Sequence, residues 1–155
     1  MKKILVISDS HGDNEVIKHI LNHEEYDLAI HAGDYCSDIT FMKKHFDYFV
    51  DGNNDYEWKK QESFICEGFN FLLIHGNQFW SFDKDKWFMR MKEYGKQQNI
   101  DVVIFGHSHK SFIDNQTQPF LFNPGSVSLP RDLSATYGII EIDKNKLTML
   151  IEHLK

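Results

Sequence analysis

Two histidines one residue apart, His107 and His109 in Gly106-His107-Ser108-His109, follow the apolar run Asp101 to Phe105. Placed straight after a buried strand, such a pair presents two imidazoles with little backbone freedom, a geometry suited to a metal ion. Four further clusters share its composition: Asp9-Ser10-His11, Gly33-Asp34, Gly52-Asn53-Asn54-Asp55 and His75-Gly76. Taken singly, each reads as a turn or a cap. Taken together, Asp9, His11, Asp34, Asn53, His75, His107 and His109 supply nitrogen and oxygen donors and no thiolate. That set suits manganese, iron, cobalt, nickel or zinc in an open site better than an iron–sulfur cluster or a closed structural zinc site. Seven side chains exceed what one ion needs when a position must stay open. Two ions sharing one bridging carboxylate fit the count.

The elements that must hold these clusters are legible as a series of strands ending in polar loops. Lys3 to Ser8 is an apolar run of strand length, rich in Ile and Val, as expected of a strand buried on both faces. Asp13 to His23 carries Val16, Ile17, Ile20 and Leu21 at helical spacing, with Asp13 as N-cap. Asp27 to His31 and Tyr48 to Val50 are strands, with a helix between them at Thr40 to Phe46. Ser63 to Cys66 and Asn70 to Ile74 pair through a turn at Glu67-Gly68-Phe69. Asp83 to Gln98 is a helix with Trp87, Met91 and Tyr94 along one side. Asp101 to Phe105 and Phe120 to Phe122 are strands, and Tyr137 to Ile151 is a hairpin turning at Lys144-Asn145. A βαβαβ first half and a strand-rich second half predict two mixed sheets packed face to face with helices outside. Ligands of open α/β sheets bind where strand ends meet, and the clusters fall there repeatedly.

Composition bounds the rest. A chain of 155 residues fits a single domain spanning 1–155. No apolar run approaches the roughly 20 residues of a membrane helix. The apolar stretch behind Lys2-Lys3 stops at Asp9, too short for a secretion signal, so a cytoplasmic location is expected. Cys36 and Cys66, without a CxxC pairing, read as reduced thiols. A net charge of −6 argues against a long nucleic acid as partner, though not against a small phosphorylated substrate. Oligomeric state stays open, a homodimer included.

The ordered series D-x-H, GD, GNxD, HG, GHxH resembles the calcineurin-like metallophosphoesterase superfamily. Within it the chain is similar to the short manganese-dependent phosphodiesterases of bacteria and archaea, whose late N-P-G-S segment has its counterpart in Asn123-Pro124-Gly125-Ser126. The resemblance spans essentially the whole chain. It implies a four-layer αββα sandwich and a binuclear centre loaded with two divalent ions, manganese first, with nickel, cobalt, iron or zinc also compatible. Carried over residue by residue, Asp9, His11, Asp34 and His109 hold one ion. Asp34, Asn53, His75 and His107 hold the other, with Asp34 bridging.

Such a centre, its ions about 3.5–4 Å apart, would polarise a phosphoryl oxygen and generate the attacking hydroxide between the metals. His11, His109 and Asn54 are the candidates for direct catalytic contact with the phosphoryl group or leaving oxygen. Many superfamily members read GNH[DE], with a histidine that protonates the leaving group or binds phosphate; here Asn54 stands in its place. A carboxamide donates a hydrogen bond but is no general acid near neutral pH. The expectation is a phosphodiesterase preferring esters whose alcohol leaves without protonation. The alternative is a non-catalytic or weakly active metal-binding scaffold on the same fold, mediating protein contacts as the retromer subunit of this architecture does.

Other side chains read more plainly. His31 is a structural histidine or one that orients a ligand. His19 and His23 lie four apart on a solvated helix face, and His45 and His153 are surface residues. Phe79-Trp80-Ser81-Phe82 and Trp87-Phe88 form core or an interface, with a wall beside the site as the competing reading. Arg131 faces solvent, and Asn123 to Ser126 tightens a turn beneath the metals.

Overall fold

The computed structural model describes residues 1–56 and 58–154. Ten strands form two mixed five-stranded sheets. The first contains β1 (Lys2–Ile7), β2 (Leu28–His31), β3 (Tyr48–Phe49), β9 (Thr136–Asp143) and β10 (Lys146–His153), in the order β10-β9-β1-β2-β3. The second contains β4 (Gln61–Cys66), β5 (Phe69–Ile74), β6 (Val102–Ile104), β7 (Ser111–Asp114) and β8 (Phe120–Pro124), in the order β4-β5-β6-β8-β7. Within them β1, β2 and β3 run parallel, as do β5, β6 and β8. Helices α1 (Asn14–His23) and α2 (Ile39–His45) belong to the first half of the chain, and α3 (Lys84–Gln97) to the second.

Strand alternation sorts the side chains into layers, because successive residues of a strand face opposite ways. Ile4 and Val6 of β1, Ile30 of β2, Phe71 and Leu73 of β5, Val102 and Ile104 of β6 and Ile140 of β9 meet between the two sheets. Leu5, Ile7, Ala29 and Ile139 turn outward onto Ile17 and Ile20 of α1 and Met42 of α2. Leu72, Ile74 and Val103 turn the other way onto Trp87 and Met91 of α3. Three apolar layers between four layers of structure make the expected αββα sandwich.

The helix starts follow their capping residues. Asp13 accepts from Val16 N, Asp38 from Thr40 N, and Asp83 from Asp85 and Lys86 N, each satisfying amides that the first turn leaves without partners. One detail differs from expectation. Strand β7, directly after His109-Lys110, carries no alternation that marks it; it is half-buried along its whole length and pairs antiparallel with β8. Trp87, Met91 and Gly95 form the buried face of α3, and Tyr94 packs half-buried against the same layer, its hydroxyl donating to Gln61 Oε1. Among the described residues no helix is long and apolar enough to cross a membrane.

Candidate metal centre

The parallel strands β1, β2, β3, β5 and β6 release their chains at one edge of the sandwich, and each release carries a cluster singled out from sequence. Backbone hydrogen bonds stitch the loops together: Asp9 N to Gly33 O and His11 N to Asp34 O in the first sheet, Gly106 N to His75 O in the second, each 3.0 Å. Five of the clustered residues take left-handed backbone, Asp9 (φ 53°), His11 (45°), Asp34 (57°), His107 (74°) and His109 (61°). Side chains visit that region at a cost of roughly 1–2 kcal/mol each, and such strain gathers at functional sites. It lets the backbone reverse within one residue, so that side chains from separate strands converge.

Asp9, His11, Asp34 and His109 offer donor atoms that all lie within 4.8 Å of one another. His11 Nε2 is 3.2 Å from His109 Nε2, and His109 Nε2 is 3.3 Å from Asp9 Oδ1. His75 Nε2 lies 3.2 Å from Asp34 Oδ2. Two ligands bound at about 2.1 Å and near right angles sit about 3 Å apart, so these spacings are those of neighbouring ligands on one ion. Asp34 Oδ2 is also 3.8 Å from His11 Nε2, which puts this carboxylate between the His11 and His75 rings. His107 Nδ1 approaches Asn53 Oδ1 at 3.2 Å, and the His75 and His107 rings stand 5.3 Å apart, joining this pair to the rest.

Two atoms of the cluster are sealed from solvent and make no hydrogen bond: Asp9 Oδ1 and His75 Nε2. Orphaned buried polar atoms are costly. Both belong to groups whose other ends are firmly held. Asp9 Oδ2 accepts from Ser8 Oγ (2.5 Å) and His107 N (3.2 Å), which leaves Oδ1 facing the His11, His75 and His109 rings. His75 Nδ1 donates to Ala32 O at 2.8 Å, and His109 Nδ1 to Leu129 O at 2.7 Å. Both bonds fix the tautomer whose Nε2 carries the lone pair, the arrangement that metal-binding histidines use. The residues present therefore fit a divalent cation.

Without a cation, protons and carboxylates compensate one another. Burial raises the cost of the Asp9 and Asp34 charges, but His109, His75 and Ser8 around Asp9, and His75 and Asn54 around Asp34, outweigh it and hold both carboxyls below the usual range. His109 is raised above the ordinary histidine value, first by Asp9. His75 is raised as well, Asp34 and Asp9 overcoming its desolvation. His107 is lowered by burial and by the charge of His75.

Several supporting residues hold the loops in place. Asp55 accepts from Gly52 N (2.7 Å), Asp34 N (2.8 Å) and Cys36 N (2.9 Å), pinning the loops after β2 and β3 together. Ser126 Oγ donates to Asp9 O at 2.7 Å and accepts from Leu129 N at 2.8 Å, so the Asn123–Ser126 turn does brace the site. Asn123 Nδ2 donates to Gly106 O at 3.0 Å. The ladder that Asp55 and Ser126 make is visible only once the loops are folded.

The remaining candidates separate cleanly. Asn54 donates from its backbone to Asp34 Oδ1 and from its carboxamide to Asp34 Oδ2, both at 2.9 Å. His31 is fully buried behind the loops that carry Asp9 and Asp34. Gly33 N donates to its Nδ1 (3.0 Å), which leaves Nε2–H for Ser10 Oγ (2.9 Å). It shapes the Gly33 turn that delivers Asp34. Burial pushes its pKa down to about 3. His19 and His23 sit together on α1, and Arg131 is exposed. Cys36 and Cys66 are free thiols; burial and the neighbouring carboxylates push Cys36 up to about 11, so it offers no thiolate. The aromatic segment divides. Trp87 is core, its Nε1 donating to Gly76 O, and Phe88 stacks on Phe112. Trp80 stands edge-on to His107 at 5.0 Å, and Phe82 is exposed.

A fold of two stacked mixed sheets with an oxygen- and nitrogen-rich cluster at their shared edge defines a metallophosphoesterase architecture. Residues 1–145 match the model of the calcineurin-like phosphoesterase superfamily domain, and the chain belongs to that family. A probable metallophosphoesterase of Mycoplasma genitalium is 37% identical over 155 residues, covering 99% of this chain and 95% of the relative. A phosphodiesterase of Methanocaldococcus jannaschii is 26% identical, covering 96% of this chain and 98% of the relative. Among solved structures, a Streptococcus pneumoniae TIGR4 protein described as a predicted phosphoesterase superposes with a TM-score of 0.83 at 22% identity. That likeness covers 98% of this chain and 89% of the other.

Proposed function

We propose that the chain is a binuclear metal-dependent phosphodiesterase acting on a small phosphoester. The carrying observation is the pair of sealed, unpartnered atoms, Asp9 Oδ1 and His75 Nε2, at the heart of the cluster. In this reading Asp9, His11, Asp34 and His109 hold one ion and Asp34, Asn53, His75 and His107 the other, with Asp34 shared. Manganese is the expected ion, and iron, cobalt, nickel or zinc suit the same donors. Such ions, when bound, polarise a phosphoryl oxygen and lower the pKa of water.

The chain's own residues supply the positioning. Asp9 and His75 are sealed and can serve only as ligands, whereas the His11 and His109 side chains keep 19% and 14% exposure and can also reach a phosphoryl or leaving oxygen. Asn54 uses one amide hydrogen on Asp34 and keeps a second for a phosphoryl oxygen. It cannot protonate the departing alcohol, so esters with good leaving groups are the favoured substrates.

Hydrolysis of bis(p-nitrophenyl) phosphate by chelator-treated and manganese-loaded protein tests this reading. Turnover should require added metal and vanish in Asp34→Asn. Tight metal binding without turnover of any ester would instead favour the protein-binding scaffold.

A further inference from the structure

Beside the metal centre lies a cavity of about 790 Å³, of the size that holds a small ligand. It shares residues with the centre. Asn54, which clamps Asp34, forms part of its wall. So does Cys36, whose Sγ lies 3.9 Å from both His11 Nδ1 and Asn54 O. A group bound at the metals therefore has this space as its immediate neighbour.

Part of the wall is aromatic. Tyr56 and Trp58 stack at 5.1 Å and 20°, yet they are 80% and 82% exposed. Large rings normally bury most of their area in a core or an interface. Here, among the described residues, they stack on each other, and both line the cavity. The polar lining is acidic: Asp38 and Asp55 contribute carboxylates, and no Lys or Arg is present among the described lining residues. A second phosphate is thus repelled, while an uncharged flat group is welcome. Asp38 uses Oδ1 to cap α2 at Thr40 N and has its other oxygen for an incoming hydroxyl or amino group.

We propose that this cavity takes the nucleoside end of a phosphodiester, its base stacked on the Tyr56–Trp58 pair and its phosphorus at the metal centre. The proposal rests on the phosphoesterase reading and narrows its substrate class. Base–aromatic stacking tolerates every base because each has a π face, so the site selects for a nucleoside without selecting one base.

Calorimetric binding of adenosine monophosphate and of ribose 5-phosphate to the manganese-loaded protein tests it directly. The two share a phosphate and a sugar, and only the first has a base. The intact chain should bind the nucleotide about 5- to 100-fold tighter. Trp58→Ala should erase that preference and leave the ribose 5-phosphate affinity within about twofold, and Tyr56→Ala should weaken it, since both rings are exposed and neither holds the fold. Equal affinities in the intact chain, no binding of the nucleotide, or a preference that survives both substitutions would overturn the proposal. Hydrolysis of bis(p-nitrophenyl) phosphate by the same preparations separates the two readings. Base preference without turnover keeps the cavity's role and removes the phosphoesterase; turnover without base preference does the reverse.

Discussion

Asn54 grips Asp34 on both carboxylate oxygens, its backbone N–H on Oδ1 and its carboxamide on Oδ2, each at 2.9 Å. Asp34 is the carboxylate between the His11 and His75 rings, so the residue standing where many superfamily members carry a histidine orients the carboxylate proposed to bridge the ions. Asn54→His should therefore exchange one support of Asp34 for a proton donor to the leaving group. The ratio of turnover on a poorly activated alkyl ester to turnover on a p-nitrophenyl ester should rise by about tenfold or more, below the full range of general acid catalysis because Asp34 loses a donor. An unchanged ratio in a folded, metal-loaded variant counts against leaving-group departure as the limiting step.

Metal affinity should depend on pH through His75 and His109. Both are raised above the ordinary 6.5, His75 chiefly by Asp34 and His109 chiefly by Asp9, and each must lose its Nε2 proton to bind a cation. Raising the pH through and above that value should tighten manganese binding, with up to about two protons released per site filled. Calorimetry in buffers of different ionisation enthalpy counts those protons. Affinity constant between about pH 6 and 9 would remove the assignment of these nitrogens as ligands.

The histidine at position 31 has the opposite sign. Its pKa falls from 6.5 to about 3 because it is fully buried, so the unfolded chain binds a proton that the folded chain refuses. The stability it contributes is complete above 6.5 and is lost as the pH falls from there toward about 3. His75 and His109, being raised, contribute fully throughout that acid window and add no slope to it. Between 6.5 and about pH 5 the metal-free protein should lose roughly 2 kcal/mol through this residue. Urea unfolding at the two pH values in chelator reads the loss. A His31→Gln variant, less stable at neutral pH, should show a clearly smaller change.

How much of this was legible beforehand depends on what kind of signal each part leaves. The strands β1, β5 and β6 are apolar runs closed by glycine and polar residues, and Asp13 marks its helix, so layers and strand ends could be read directly. The residue types Asp and His likewise pointed to the cluster that Asp9, His11, Asp34 and His109 form. Left-handed backbone at Asp9, His11, Asp34, His107 and His109 left no trace, because any of these residues in a strand-end loop can adopt either hand. Asp55 and Ser126 stood out only as members of the GNxD and N-P-G-S motifs, with no sign of what they hold. Their work is to accept or donate to backbone of distant loops, Asp34 and Asp9 respectively, and a carboxylate or hydroxyl looks the same in sequence whether it does this or meets water. Strand β7 escaped because it is half-buried on every residue and so lacks a period.

Close approach of the chain to Asp34 gives the sharpest test of the shared carboxylate. A methyl group at Gly52 would overlap Asp34 Oδ1 and stand 2.6 Å from Asp34 N and 2.8 Å from Asp34 Cγ. Gly52 is not among the left-handed residues, and an added methyl meets both the backbone nitrogen and the carboxylate of Asp34, so alanine there acts by displacing Asp34. Gly68, in the β4–β5 turn, is the converse. It has φ +83° and nothing within 4 Å of an added methyl, so Gly68→Ala costs about 1–2 kcal/mol of backbone strain and touches no ligand. Gly52→Ala should lower manganese affinity by at least about 100-fold, beyond the 10- to 100-fold usual for a ligand's supporting partner, because in the proposed centre both ions share Asp34. Gly68→Ala should lower the melting temperature and leave manganese affinity within about twofold. If Gly52→Ala weakened only one of two manganese-binding steps, Asp34 would serve a single ion and the bridging assignment would fall.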